Sequence, residues 1–345
     1  MADIDILLRD VVNRATGRKT DGAEIIKLKG DASNRSYFRV RENGQTHVVM
    51  VMPLDTKSEE ATKGEPPKEL PFVNVHRYLN KLGVRVPEIR RFEPERGLMV
   101  LEDLGDELFE HAQARGPAER DQWYGHAVDT LAALRARADK ERDAGCLAFG
   151  RAFDADLYEW ELHHFRAYGL EVRQGLTMSG AELKRMGELF RNLAETLDKE
   201  PRGFTHRDYQ SRNLMVVDGK LVVIDFQDAL QGPRQYDLVA LLRDSYVQLD
   251  RPFIEKMLNR YIASYHKEGG EQLDAKQFIA TFDRLTVQRK LKDAGRFIFI
   301  DVVKKNPGFL PYVTPSLGYV REAFERVPEL AELRTIIAKH VPELR

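Results

Sequence analysis

The hydrophobic period of this chain changes abruptly at Asp103-Leu104-Gly105, and that change limits the folds open to it. Before it, short runs rich in β-branched and aromatic residues read as strands over 24–29, 36–41, 46–52, 88–92 and 98–102. Glu42-Asn43-Gly44 is a hairpin turn signal. A helix is predicted over 3–16, with Ile4, Leu7, Leu8, Val11 and Val12 on one face. A second is predicted over 68–82, stopped by Gly83, and the polar stretch 55–67 before it reads as a loop. After the change, helical periodicity dominates over 118–139, 154–169 and 181–199, and again from Tyr236 to the C-terminus. One β island interrupts it, with strands over 213–217 and 221–225 about a turn at Asp218-Gly219. The expected architecture is α+β and bilobal: a small β-rich lobe over 1–103 and a larger, mainly helical lobe over 104–345.

Composition narrows the class of partner. The 345 residues carry a formal net charge of −1, with 42% hydrophobic and 32% charged residues. Such a chain has no global field to attract nucleic acid or an anionic membrane. No run reaches the roughly 18 apolar residues of a membrane span. The N-terminus lacks the basic and apolar regions of a signal peptide. A single cysteine, Cys146, cannot form an internal disulfide, and no cysteine-histidine cluster has zinc spacing. A cytoplasmic monomer acting on a small molecule is expected, with no nucleic-acid or membrane partner.

The β island carries the chemistry. His206-Arg207-Asp208 is followed by Asn213, in the spacing His-x-Asp-x4-Asn, and Asp225 ends the second strand of the hairpin. Phosphoryl transfer needs a carboxylate to orient the attacking hydroxyl and receive its proton. It also needs hard oxygen ligands to hold magnesium against the phosphates of ATP, all on a rigid frame. Asp208 is placed for the first role, and Asn213 and Asp225 for the second. His206 and Arg207 are expected to support the loop rather than react. The competing reading, that these are turn and cap residues, does not account for the hairpin between them.

The pattern resembles the protein-kinase-like superfamily, and within it the aminoglycoside phosphotransferase and choline kinase branch. A protein kinase has Gly after Asp-Phe and then a long activation loop. Here Asp225-Phe226 is followed by Gln227, then Gly232-Pro233, then Tyr236-Asp237-Leu238. The resemblance implies a bilobal kinase fold and an Asp237 that braces the catalytic loop. Stretches 30–39, 206–215, 225–228, 236–244 and 288–292 further resemble bacterial anomeric kinases of N-acetylmuramate and N-acetylglucosamine. That likeness implies phosphorylation of a sugar, at its anomeric hydroxyl, in cell-wall sugar recycling. Two alternatives stay open: an aminoglycoside- or choline-type kinase, and a non-catalytic nucleotide-binding pseudokinase.

In such a fold Gly30, Asp31, Ala32, Ser33 and Asn34 form the phosphate-facing loop between two strands, where small residues admit backbone N–H groups. Glu102 and Leu104 lie in the connector whose backbone binds adenine. The third strand, His47-Val48-Val49-Met50-Val51-Met52, lacks the phosphate-gripping Lys of protein kinases. Arg35, Arg39 and Lys57 are the candidate replacements, and Glu69 is the candidate for the acidic residue of the following helix. Glu161, Gln227 and Arg289 are the candidates to face the acceptor. Lys292, three residues beyond Arg289, is placed to help meet an anionic group such as the lactate of muramate.

Overall fold

The computed structural model describes residues 2–20, 22–28, 35–53 and 69–345. The first lobe runs α1 (Ala2–Thr16), β1 (Glu24–Lys27), β2 (Ser36–Glu42), β3 (Gln45–Val51), α2 (Pro71–Lys81), β4 (Ile89–Glu93) and β5 (Leu98–Glu102). Its five strands form one antiparallel sheet in the order β1-β2-β3-β5-β4. The strand period of two divides its side chains between two faces. Phe38, Val40, Val49, Leu98 and Val100 pack beneath Leu8, Val11 and Val12 of α1. The alternate residues Met50, Met99 and Leu101 face the opposite way and join α2 in the main core. Burial on both faces explains why the fifth strand is a continuous apolar run rather than an alternating one.

The second lobe contains α3 (Phe109–Gln113), α4 (Pro117–Lys140), α5 (Ala155–Phe165) and α6 (Gly180–Asp198). These are followed by β6 (Arg202–Thr205), β7 (Leu214–Val217), β8 (Lys220–Val223) and β9 (Leu230–Pro233). The chain ends with α7 (Gln235–Leu242), α8 (Arg251–Lys267), α9 (Ala275–Lys304), α10 (Val313–Phe324) and α11 (Ala331–His340). Beyond Phe165 the chain winds on as a wider π-helix over Arg166–Val172. The 30-residue α9 is buried on most sides and packs against α5, α7, α8 and α10. A helix surrounded in this way lacks a clean apolar stripe. Gly295 lets α5 approach it: a Cβ there would lie 2.6 Å from the Phe165 Cα.

Two antiparallel strand pairs frame the central loop, β7 with β8 and β6 with β9. The first is the hairpin expected from sequence. The second was not legible, because each strand has four residues and Leu230-Gln231-Gly232-Pro233 carries a turn signature. Its Gly is required by packing: a Cβ on Gly232 would lie 2.9 Å from Thr205 Oγ1 and 3.0 Å from a Phe153 ring carbon. Among the described residues no helix is long and apolar enough to cross a membrane. Cys146 is buried and free. The predicted loop 55–67 and the end of the predicted strand at Lys29 lie outside the described residues.

Candidate active site

The loop after β6 brings the sequence-predicted residues together. His206 is buried, with Nδ1 accepting the Asp208 amide at 3.3 Å and Nε2 3.0 Å from the Ile224 carbonyl. Those partners put the ring proton on Nε2, and burial holds the pKa below the ordinary histidine value. Arg207 adopts φ +80°, a left-handed conformation unfavourable to a non-glycine residue. Asp237, at the start of α7, sustains it: Oδ2 accepts the His206 amide at 2.7 Å and Oδ1 the Arg207 amide at 2.9 Å. The result is a loop that presents Asp208 with its carboxylate about one-third exposed (35%).

Asn213 faces Asp225 across the hairpin. Its Nδ2 donates to the Asp208 carbonyl at 2.9 Å and to Asp225 Oδ2 at 3.2 Å, so Oδ1 is the atom it can offer a cation. The Ile224 amide donates to the Asn213 carbonyl at 3.0 Å and ties the two segments together. Asp225 has φ +63°, the second strained residue of the site. Gln227 turns back on it, donating from Nε2 to Asp225 Oδ1 at 2.9 Å and to Asp228 Oδ2 at 3.2 Å.

The two carboxylates differ electrically. For Asp208, burial opposes the charge, but Arg289, Lys292 and Arg207 outweigh it and hold the pKa below the usual value. Burial raises Asp225, and the neighbouring charges of Asp208 and Asp228 add to that. Asp208 is therefore a stable anion, whereas Asp225 sits where an added cation would relieve unfavourable charge.

Several supporting residues lie far from the loop in sequence and could not be read from local pattern. Asp244 accepts the Ser211 amide at 2.8 Å and the Tyr246 amide at 3.0 Å, bracing the loop from its other end. Arg289, a candidate acceptor ligand, instead donates to the Arg207 carbonyl at 2.7 Å and to Asp208 Oδ1 at 3.2 Å, with its guanidinium 4.8 Å from the Tyr236 ring centre. It is committed to the catalytic loop. Glu161 is buried on α5; its Oε2 accepts Gln288 Nε2 at 2.7 Å and its Oε1 lies 3.7 Å from Arg207 Nη2. The Tyr158 and Tyr236 hydroxyls and Gln288 Oε1 are buried near it without a hydrogen-bond partner among the described residues. Burial pushes the Tyr236 hydroxyl up to about 12, so it stays a neutral donor. Unpaired buried polar groups are costly.

The nucleotide side is less complete. Gly30, Asp31, Ala32, Ser33, Asn34 and Lys57 lie outside the described residues. Met50 is fully buried beside Tyr37 and Met99, so the third strand offers an apolar side chain where a protein kinase has its Lys. Arg39 does not replace it. Its guanidinium is drawn to the connector, 2.7 Å from Asp103 and 2.9 Å from Asp106, and donates to the Gly105 carbonyl at 3.1 Å. Arg35 hydrogen-bonds the Tyr37 hydroxyl, and its charge reaches Asp225. Glu69 pairs with Arg77 at 2.7 Å and with Asn74 at 2.9 Å. Glu102 pairs with Arg85 and accepts the Glu88 amide at 3.1 Å; Leu104 lies two residues beyond β5 in the connector.

A family model described as the phosphotransferase enzyme family matches residues 24–275. An N-acetylmuramate/N-acetylglucosamine kinase of Pseudomonas aeruginosa is 34% identical over 92% of this chain and 88% of its own. Kinases of the same name from Pseudomonas putida and Neisseria meningitidis serogroup B are each 29% identical, over 97% and 90% of this chain and 94% and 89% of theirs. Among solved structures, an ADP-bound aminoglycoside phosphotransferase superposes with a TM-score of 0.57 at 18% identity, covering 92% of this chain and 98% of that one. A choline kinase from Cryptosporidium parvum Iowa II superposes with a TM-score of 0.65 at 12% identity, covering 97% and 98%. These likenesses establish the bilobal, protein-kinase-like fold. The matched region holds Asp208, Asn213 and Asp225, and the chain belongs to the phosphotransferase enzyme family as a kinase.

Proposed function

We propose that this kinase transfers the γ-phosphoryl group of ATP to the anomeric hydroxyl of N-acetylmuramate or N-acetylglucosamine. The observation that carries the substrate is the 34% identity to a kinase of that name across 92% of the chain. ATP would lie between a lobe over 1–103 and one over 104–345, with adenine at Glu102 and Leu104 and its phosphates under residues 30–34. Magnesium would be held by Asn213 and Asp225. The fit is good: both offer hard oxygens, and the Asp225 environment favours an added cation. Bound there, the ion would neutralise charge on the β- and γ-phosphates. Arg35 is our candidate for the cation missing from the third strand.

Asp208 would accept a hydrogen bond from the sugar hydroxyl, align it for in-line attack and receive its proton as the bond to phosphorus forms. Its depressed pKa keeps it ionised for that role. A sugar 1-phosphate is the form a nucleotidyltransferase consumes, which suits cell-wall sugar recycling in the cytoplasm.

Phosphorus NMR of the products from ATP, magnesium and each sugar tests the reading. An anomeric phosphate is expected. A 6-phosphate, or no product from either sugar, would overturn it. Asp208→Ala is expected to lower turnover by about 10³-fold or more while the protein still unfolds cooperatively; near-normal turnover would sink the assignment of Asp208.

A further inference from the structure

Beyond residue 275, where the family match ends, α9 carries Arg289, Lys290, Lys292 and Asp293 together. Asp293 is shared by three cations. Its Oδ2 lies 2.7 Å from Lys290 Nζ and 3.9 Å from Arg289 Nε, and its Oδ1 lies 3.1 Å from Lys292 Nζ. Other carboxylates also act on these cations: Glu161 on Lys292, Asp244 on Lys290, and Asp208, 3.2 Å from Arg289.

The three cations are not equivalent. The Arg289 and Lys290 side chains are each 2% exposed. Arg289 holds the catalytic loop, and Lys290 also donates to Ser245 Oγ at 2.5 Å. Lys292 is 16% exposed, and its ion pair among the described residues is with Asp293 alone. Three residues beyond Arg289, it shares the face of α9 that meets Asp208. Its charge acts on both Asp208 and His164 of α5. His164 in turn stacks on the half-exposed Trp160 ring at 5.6 Å. Lys292 is therefore the partly exposed cation of this cluster whose charge bears on Asp208.

The two acceptors proposed above differ by one charged group: N-acetylmuramate carries a lactyl ether carboxylate that N-acetylglucosamine lacks. We infer that Lys292 is the residue that distinguishes them, its ammonium meeting the lactyl carboxylate of the acidic sugar. This rests on the proposed function. A carboxylate arriving at Lys292 would meet an ammonium and so would not be left as an unpaired charge. An ammonium also suits a single flexible carboxylate, since it acts as a compact point charge.

The test is the ratio of kcat/KM for the two sugars in wild type, Lys292→Gln and Lys292→Arg, with N-acetylmuramate lactyl methyl ester as a third acceptor. Lys292→Gln is expected to lower kcat/KM for N-acetylmuramate about tenfold or more relative to N-acetylglucosamine, the weight of one charge-assisted contact. Lys292→Arg should restore most of that ratio. In wild type the ester should lose about the same factor, and Lys292→Gln should not penalise it further. An unchanged ratio, or equal loss for both sugars, would overturn the inference while leaving the proposed function intact. If wild type turns over neither sugar, the proposed function fails and the inference falls with it.

Discussion

Asp237 Oδ1 accepts the amide of Arg207 at 2.9 Å, at the one residue of the catalytic loop that turns left-handed, with φ +80°. The second oxygen of the same carboxylate takes the preceding amide at 2.7 Å. The brace thus pins a strained backbone from a helix 30 residues away in sequence. Replacing Asp237 by Ala leaves two buried amides without acceptors. A loss of about 3 kcal/mol in unfolding free energy is expected, together with a fall in kcat. Asp237→Asn should cost less, because one acceptor oxygen remains. Urea unfolding with parallel kinetics checks this, and wild-type values for the Ala variant would refute it.

Arg289 supports the next residue of that loop. Its fork serves the Arg207 carbonyl at 2.7 Å and Asp208 Oδ1 at 3.2 Å together, a geometry that an ammonium cannot reproduce. Arg289→Lys is expected to lower kcat roughly tenfold and Arg289→Gln roughly a hundredfold, since Gln also removes the charge. Steady-state kinetics at saturating ATP decides it. Equal activity of Lys and Arg at this position would show that charge alone matters.

Arg39 makes the corresponding test in the first lobe. It pairs with Asp103, 5% exposed, and with Asp106, 80% exposed. The two partners should differ sharply. Asp103→Ala strands a buried guanidinium and should cost about 3 kcal/mol, whereas Asp106→Ala removes a solvated pair and should cost below about 1 kcal/mol. Chemical denaturation of both variants measures the difference. Hydrogen exchange in β2 and β3 should rise in Asp103→Ala alone.

His164 offers a pH-dependent test. Burial and the charges of Arg296 and Lys292 lower its pKa to about 4 in the folded protein. A group whose folded pKa lies below its unfolded value of about 6.5 contributes stability above that value. The contribution is lost as pH falls from about 6.5 towards 4, because the unfolded chain takes up a proton that the folded one refuses. Wild type should therefore lose about 1–2 kcal/mol relative to His164→Gln between pH 7.5 and pH 5. Unfolding midpoints for both proteins across that range give the answer, and parallel curves would count against it.

The strands and helices were legible where the pattern was long and regular. Short runs rich in β-branched and aromatic residues in the first hundred residues foretold all five strands of the sheet, and a period of 3.6 foretold α4 and α6. The pair β6 and β9 escaped, because four-residue strands carry too little periodicity to outweigh a Gly-Pro turn signal. Of the three candidate replacements for the missing Lys, Arg39 is drawn instead to the connector. The alternation that buries Phe38 and Val40 under α1 turns Arg39 to the opposite face, where it pairs with Asp103 and Asp106.

The same division runs through the site. That Asp208, Asn213 and Asp225 come together was legible in the sequence alone, because one loop and one hairpin hold them within 17 residues, and local spacing sets their geometry. The residues that make Asp208 usable were decided only by the tertiary structure. Asp237 lies 30 residues from Arg207, Asp244 lies 33 from Ser211, and Arg289 lies 81 from Asp208. No short-range rule links such positions. They meet because α7 and α9 bury their apolar sides in one core, and the polar groups carried along must find partners where the packing leaves them.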